Sequence, residues 1–242
     1  ASDDRRDDAT AGTSTVFAAA SLTDAFTEIA DAFEVEHPGA EVVLNFGGSA
    51  SLREQVLSGA PTDVFASADV SNMDRLRDAD AVGTPQVFAT NRMQIAVPEG
   101  NPAGIVAVGD FTDGDRFIGL CAAEVPCGVF GRQVLANAGI DASIDTNEPD
   151  VRALLTKISA GELDAGLVYV TDVRAAMGRV EGIDIADADN VVADYPIAMT
   201  TDTDHPATAE AFEQCRAMRS GRVSIPCRIR NALNGEIAAP GV

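Results

Sequence analysis

Phe17-Ala18-Ala19-Ala20-Ser21-Leu22-Thr23-Asp24-Ala25-Phe26 is an apolar run of strand length that ends at a serine and turns into a helical pattern. Leu22, Phe26, Ile29 and Phe33 recur at helical spacing, and Ser21 with Asp24 three positions on predicts the helix start. A helix start leaves backbone N–H groups without internal partners and its dipole favours negative charge, so the junction predicts an anion cradle. The same arrangement returns at 41–54. A Val/Leu/Phe strand over 41–46 enters Gly47-Gly48, where backbone can approach a ligand closely, and Ser51 with Glu54 forms a capping-box pattern for the next helix. That assignment leaves the Ser49 hydroxyl and the N–H groups around it to bind something else. The Ser21 junction alone reads better as an ordinary capped βα connection, and Ser49 alone reads as well as a solvated loop serine; the repetition favours a ligand.

Outward from these junctions, strands at 15–20, 41–46 and 64–67 alternate with helices from Ser21, Ser51 and Ser71. This βαβ series predicts a largely parallel sheet flanked by helices, with ligands at the carboxyl ends of its strands. Near Asn91 the character changes: a strand over 93–97 is stopped by Pro98 and followed by a Gly/Pro-rich connection through Gly104, the crossing into a second lobe. That lobe is expected to hold a strand at 116–120, a loop at 121–128, a helix at 129–137 and an acidic loop at 145–150. A helix at 151–159 and a strand at 165–170 complete it. A strand over 191–199 returns the chain, and a helix over 206–218 packs on the first lobe. The expected division is a disordered tether at 1–14, lobe I from 15–90 and 190–242, and lobe II from 91–189.

Among 242 residues the net charge is −21, which argues against nucleic acid and anionic membrane surfaces as partners. An anionic ligand is still admissible, because the Debye length is about 8 Å at physiological salt and local dipoles can prevail over distant carboxylates. Apolar residues make up 46% and aromatics 5%, and no run approaches the roughly 20 apolar residues of a membrane span. The polar opening, with Asp3, Asp4, Arg5, Arg6, Asp7 and Asp8, is what an exported chain would show once its signal had been removed. Four cysteines fall in two close pairs, Cys121 with Cys127 and Cys215 with Cys227, which favours disulfides in an exported chain. Zinc is the weaker reading, since there is no C-x-x-C and His37 and His205 stand in turn-like His-Pro contexts. Thiol-redox chemistry is weaker again for the same reason. No base stands beside Ser21 or Ser49, which argues against nucleophilic catalysis.

With these segments in hand, the chain resembles the periplasmic molybdate-binding proteins of ABC importers. The carriers are Phe17 to Thr23, Gly48-Ser49, Gly59-Ala60-Pro61-Thr62-Asp63-Val64-Phe65-Ala66-Ser67-Ala68-Asp69, Val125-Pro126-Cys127-Gly128, Asp150-Val151-Arg152, Gly166-Leu167-Val168-Tyr169 and Tyr195-Pro196. The resemblance runs from about residue 15 to about 212. It implies an α/β chain with the two-lobed type II periplasmic binding-protein fold, each lobe a mostly parallel sheet flanked by helices, with a hinge between lobes. It further implies capture of molybdate or tungstate between the lobes and delivery to the permease of an ABC importer. The alternative is a type II binding protein for another tetrahedral oxyanion, such as sulfate or phosphate.

In that family neutral donors alone hold the oxyanion. Carried over, Ser21 and Ser49 give hydroxyl and backbone N–H from the first lobe, Cys127 and Val151 give backbone N–H from the second, and Tyr169 gives its phenol. Arg152 and Arg53 read as ion-pair partners on their own helices rather than ligands. Cys127 stands where the family commonly has a small residue such as alanine, Glu124 lies close in sequence to the anion loop, and 219–242 departs from the family's usual ending. The protein is thus expected to be no enzyme, to need no cofactor or metal cation, and to bind no nucleic acid. It is expected as a monomer in the periplasm or at the cell surface, with a lipid anchor upstream of Ala1 as a variant.

Overall fold

The computed structural model describes residues 10–215. The described chain forms two compact units, one built from residues up to Thr90 and from Asp194 to the end of the described stretch, the other from Asn91–Ala193.

In the first unit, β1 (Gly12–Ala19) pairs in parallel with β2 (Ala40–Gly47) and with β3 (Val64–Ala66). Thus Gly12 to Ser14, expected in the tether, belong to a strand: Gly12 pairs with Ala40 and its N–H donates to the Gly39 carbonyl at 2.8 Å. β9 (Val192–Met199) closes the sheet antiparallel to β3, with Ala66 opposite Ile197. The expected alternation of strands and helices is found. α1 (Thr23–Glu36) buries Phe26, Ile29 and Phe33, the residues its periodicity singled out, and Phe33 meets Phe212 of α7 (Pro206–Cys215) edge-on at 5.5 Å. α2 (Ser49–Leu57) and α3 (Val70–Asp78) pack on the sheet, with Phe17, Leu52, Phe65, Met73 and Leu76 forming one buried cluster.

The second unit carries β4 (Gln86–Pro98), β5 (Ile118–Cys121), β6 (Thr146–Glu148), β7 (Ala165–Tyr169) and β8 (Val180–Asp184). β5 pairs in parallel with β6 and β7, whereas β4 runs antiparallel to β7 and β8. Two of these strands escaped the sequence reading. β6 lies in the expected acidic loop, where Thr-Asn-Glu shows no apolar period, and β8 is a short edge strand with a single buried position, Val180. The strand expected from residue 116 begins at Ile118, and the one expected at 93–97 is far longer. The chain passes between units within β4 and returns within β9.

The helices are α4 (Pro126–Ala138), α5 (Val151–Ser159) and α6 (Val170–Ala175). α4 starts three residues earlier than expected because Pro126, with φ fixed and no N–H to lose, opens its first turn, and Gly139 in the left-handed region ends it. Val170 opens α6 rather than ending β7. Among the described residues no helix is long and apolar enough to cross a membrane. The expected Cys215–Cys227 pairing and the atypical 219–242 segment lie outside the described residues, as does the end of the helix expected over 206–218.

Candidate functional site

Each unit gathers its candidate donors at the carboxyl edge of its parallel strands. In the first, Ala19 of β1 lies opposite Gly47 of β2, so Ser21 and Ser49, two residues beyond each, leave neighbouring strands on the same edge. Ser21 sits in a 3-10 turn, Ala20–Leu22, that precedes α1. It is not the helix cap: Leu22 takes that position, no side chain caps the turn, and the Ser21 hydroxyl lies 3.0 Å from the Tyr195 phenol instead. Ser49 is not left over in a loop either. It is the first residue of α2, because extended Gly48 occupies the cap position and lets the helix begin two residues before Ser51. The capping box expected of Ser51 and Glu54 is therefore absent, and Glu54 pairs with Arg53. Ser49 is 1% exposed, and its Oγ accepts the Ala68 N–H at 3.1 Å.

A hydroxyl has one proton to give and lone pairs to receive. With an incoming N–H occupying its acceptor side, Ser49 keeps its proton for another partner. Buried side chains fix that N–H. Asp69 caps α3 by accepting from the Asn72 N–H at 3.0 Å, it also accepts the Asn72 amide and the Ser67 hydroxyl, and Arg53 donates to Asn72 Oδ1 at 2.5 Å. Ser67, in turn, donates its N–H to the Pro196 carbonyl at 2.9 Å. Asp63, just before β3, ties that strand to β1 and to the segment after β9, accepting from the Thr15 N–H at 2.7 Å and from the Thr203 hydroxyl at 2.5 Å.

In the second unit Cys121 of β5 lies opposite Glu148 of β6, and the β5–β7 register sets Gly119 against Gly166. Cys127, Val151 and Tyr169 follow or end these three adjacent strands. Cys127 lies in the first turn of α4, not in a loop, and is bonded to Cys121 with 5.7 Å between their Cα atoms. The intervening turn presses onto the helix start so closely that a Cβ on Gly128 would stand 1.8 Å from the Ala122 carbonyl oxygen; only glycine fits there. Glu124 is exposed to solvent.

Val151 is the first residue of α5. The cap at Asp150, unnoticed in the sequence, accepts from the Arg152 and Ala153 N–H groups at 2.8 and 2.9 Å. Its carboxylate thus uses two of the N–H groups that open α5 and does not take that of Val151. The signal was legible, since an Asp immediately before an apolar-periodic run is a cap pattern. Tyr169 ends β7, is buried, and receives a backbone brace from the Asp172 carboxylate at 3.0 Å.

The nearby cations have carboxylate partners. Arg53 pairs with Glu54 on its own helix, Lys157 with buried Glu148 at 2.6 Å. Arg152 stands 3.9 Å from the fully buried Asp172 at the start of α6. What each edge offers is therefore hydroxyl and N–H donors braced from behind.

The sequence pattern of the bacterial extracellular solute-binding proteins matches residues 14–216. The chain belongs to that family. Among the relatives of this solute-binding protein is the "Molybdate-binding protein ModA" of Mycobacterium tuberculosis, 39% identical over 208 residues that make up 86% of this chain and 80% of that one. The periplasmic molybdate-binding protein of Azotobacter vinelandii has a similar fold, with a TM-score of 0.72, 22% identity, and 83% and 91% of the two chains covered. The sulfate-binding protein SubI of Mycobacterium tuberculosis does too, with a TM-score of 0.77, 16% identity, and 86% and 82% covered. At such identities these two structures speak to the fold alone. It is the two-lobed α/β fold of the periplasmic binding proteins.

Proposed function

We propose that this solute-binding protein captures molybdate outside the cytoplasm and hands it to the permease of an ABC importer, and that tungstate is taken by the same donors. The observation that carries the reading is the 39% identity, over most of both chains, to a relative named for molybdate binding. The donor chemistry supports it. Ser21 and Ser49 supply hydroxyl and N–H groups from the first unit, Cys127 and Val151 supply N–H groups from the second, and Tyr169 its phenol. Such donors suit a fully ionised tetrahedral oxyanion, because fixed dipoles stabilise negative charge without a counter-ion. Likeness of fold does not separate molybdate from sulfate, as the sulfate-binding neighbour has the higher TM-score of the two structures. Anion size is the quantity that would separate them, since braced donors select by distance.

The protein is a carrier and not an enzyme in this reading: Ser21 faces a phenol and Ser49 a backbone N–H, rather than the imidazole that commonly activates a nucleophilic serine. It works as a monomer in the periplasm or at the cell surface, and a lipid anchor upstream of residue 1 would hold it there.

The test is a thermal-shift and calorimetric series with molybdate, tungstate, sulfate and phosphate. Ligand bound only to the native state stabilises by mass action, about 2.7 kcal/mol at a hundredfold excess over Kd. Molybdate and tungstate should raise the melting temperature and sulfate and phosphate should barely move it. Equal shifts with all four would sink the assignment.

A further inference from the structure

We infer that Tyr195 is a positioning residue for the anion: its phenol donates to Ser21 Oγ and so directs the Ser21 proton to the ligand. The inference rests on the proposed anion site and adds a residue to it. Tyr195 lies on β9, 174 positions from Ser21, at 3.0 Å between the two hydroxyl oxygens. The ring is 2% exposed and cannot wander. Phe88 meets it edge-on at 6.4 Å between centroids, and Phe88 in turn lies 5.8 Å from Phe26 on α1, the helix that the Ser21 turn leads into. The phenol is thus fixed to the same aromatic cluster as the serine it touches.

A serine hydroxyl has a single proton. When an anion accepts that proton, Ser21 Oγ is left as an acceptor, and the buried phenol beside it is a donor in place. This is the arrangement the Ala68 N–H provides for Ser49. The next residue, Pro196, accepts the Ser67 N–H, so one short stretch of β9 backs the Ser21 hydroxyl directly and anchors the loop that backs Ser49.

The experiment is a double-mutant cycle of Tyr195→Phe and Ser21→Ala, with molybdate titrated calorimetrically and ligand-free melting followed in parallel. Tyr195→Phe keeps the ring and removes only the hydroxyl. It should weaken molybdate binding about three- to tenfold, the range of one hydrogen bond, and the double variant should bind no more weakly than Ser21→Ala alone. Losses that simply multiply, or a Tyr195→Phe variant that binds like wild type, would overturn the inference. So would a loss that only follows a lower ligand-free melting temperature and appears equally on the Ser21→Ala background. Failure of the wild-type protein to bind molybdate would overturn both this and the proposed function, whereas wild-type binding without coupling removes this inference alone.

Discussion

Ser49 illustrates what a single side chain contributes here. Its hydroxyl is buried, receives the Ala68 N–H, and sits in the first turn of α2 where the helix dipole favours negative charge. Truncation to alanine would remove a donor to a charged partner while leaving the helix start intact, because Gly48 and not Ser49 holds the cap position. Ser49→Ala and Ser21→Ala are each expected to weaken molybdate binding by about 1.5–3 kcal/mol, the range for hydrogen bonds to charged groups. Tyr169→Phe should act alike. Calorimetric titration checks this, and three variants binding like wild type would remove the donor assignment. The sequence picked out the two serines through the residues around them, a strand ahead and a helix behind. It misjudged their local work, because helix caps are decided by backbone angles: extended Gly48 and the 3-10 turn at Ala20–Leu22 displaced Ser51 and Ser21 from the caps their side chains suggested.

At the scale of the element, the start of α4 depends on its neighbours. Gly128 accepts the close approach of the Ala122 carbonyl, Pro126 opens the helix, and the Cys121–Cys127 bond ties the end of β5 to the first helical turn. The loop that this bond closes is short, so the chain entropy it removes from the unfolded state is modest. Its larger effect should be to hold the first-turn N–H groups in a binding orientation. Mild reduction is therefore expected to weaken molybdate binding more than it lowers the ligand-free melting temperature. A fall in stability with unchanged affinity would reverse that ranking. Elements with strong periodicity were readable: α1 by Phe26, Ile29 and Phe33, α5 by Leu154, Leu155 and Ile158. β6 and β8 were not: Thr-Asn-Glu and the short, largely exposed Val-Glu-Gly-Ile-Asp carry too little apolar pattern of their own, and their conformation depends on pairing with β5 and β4.

For the whole molecule the net charge of −21 opposes an anionic ligand at long range. Arg53 and Lys157 are tied to Glu54 and Glu148, and Arg152 stands beside Asp172. If neutral dipoles bind the dianion, added salt screens only repulsion, and the association rate with molybdate should rise or stay flat as sodium chloride increases. Stopped-flow fluorescence can follow this, with chloride first shown not to compete. The chain has no tryptophan, and its only tyrosines, Tyr169 and Tyr195, are a candidate donor and the residue behind another. A clear fall in rate between low and physiological salt would mean that a cation faces the ligand. What the sequence determined by itself was the alternation of strand and helix, and with it the placing of serines and helix starts at the carboxyl ends of strands. Those features follow from residue periodicity and from the handedness of βαβ connections, both local in the chain. What only the tertiary structure decided was which groups stand behind the donors. Tyr195 reaches Ser21 and Ala68 reaches Ser49 through strand pairing across long separations, and a hydrogen bond between distant residues leaves no periodic trace in a single sequence.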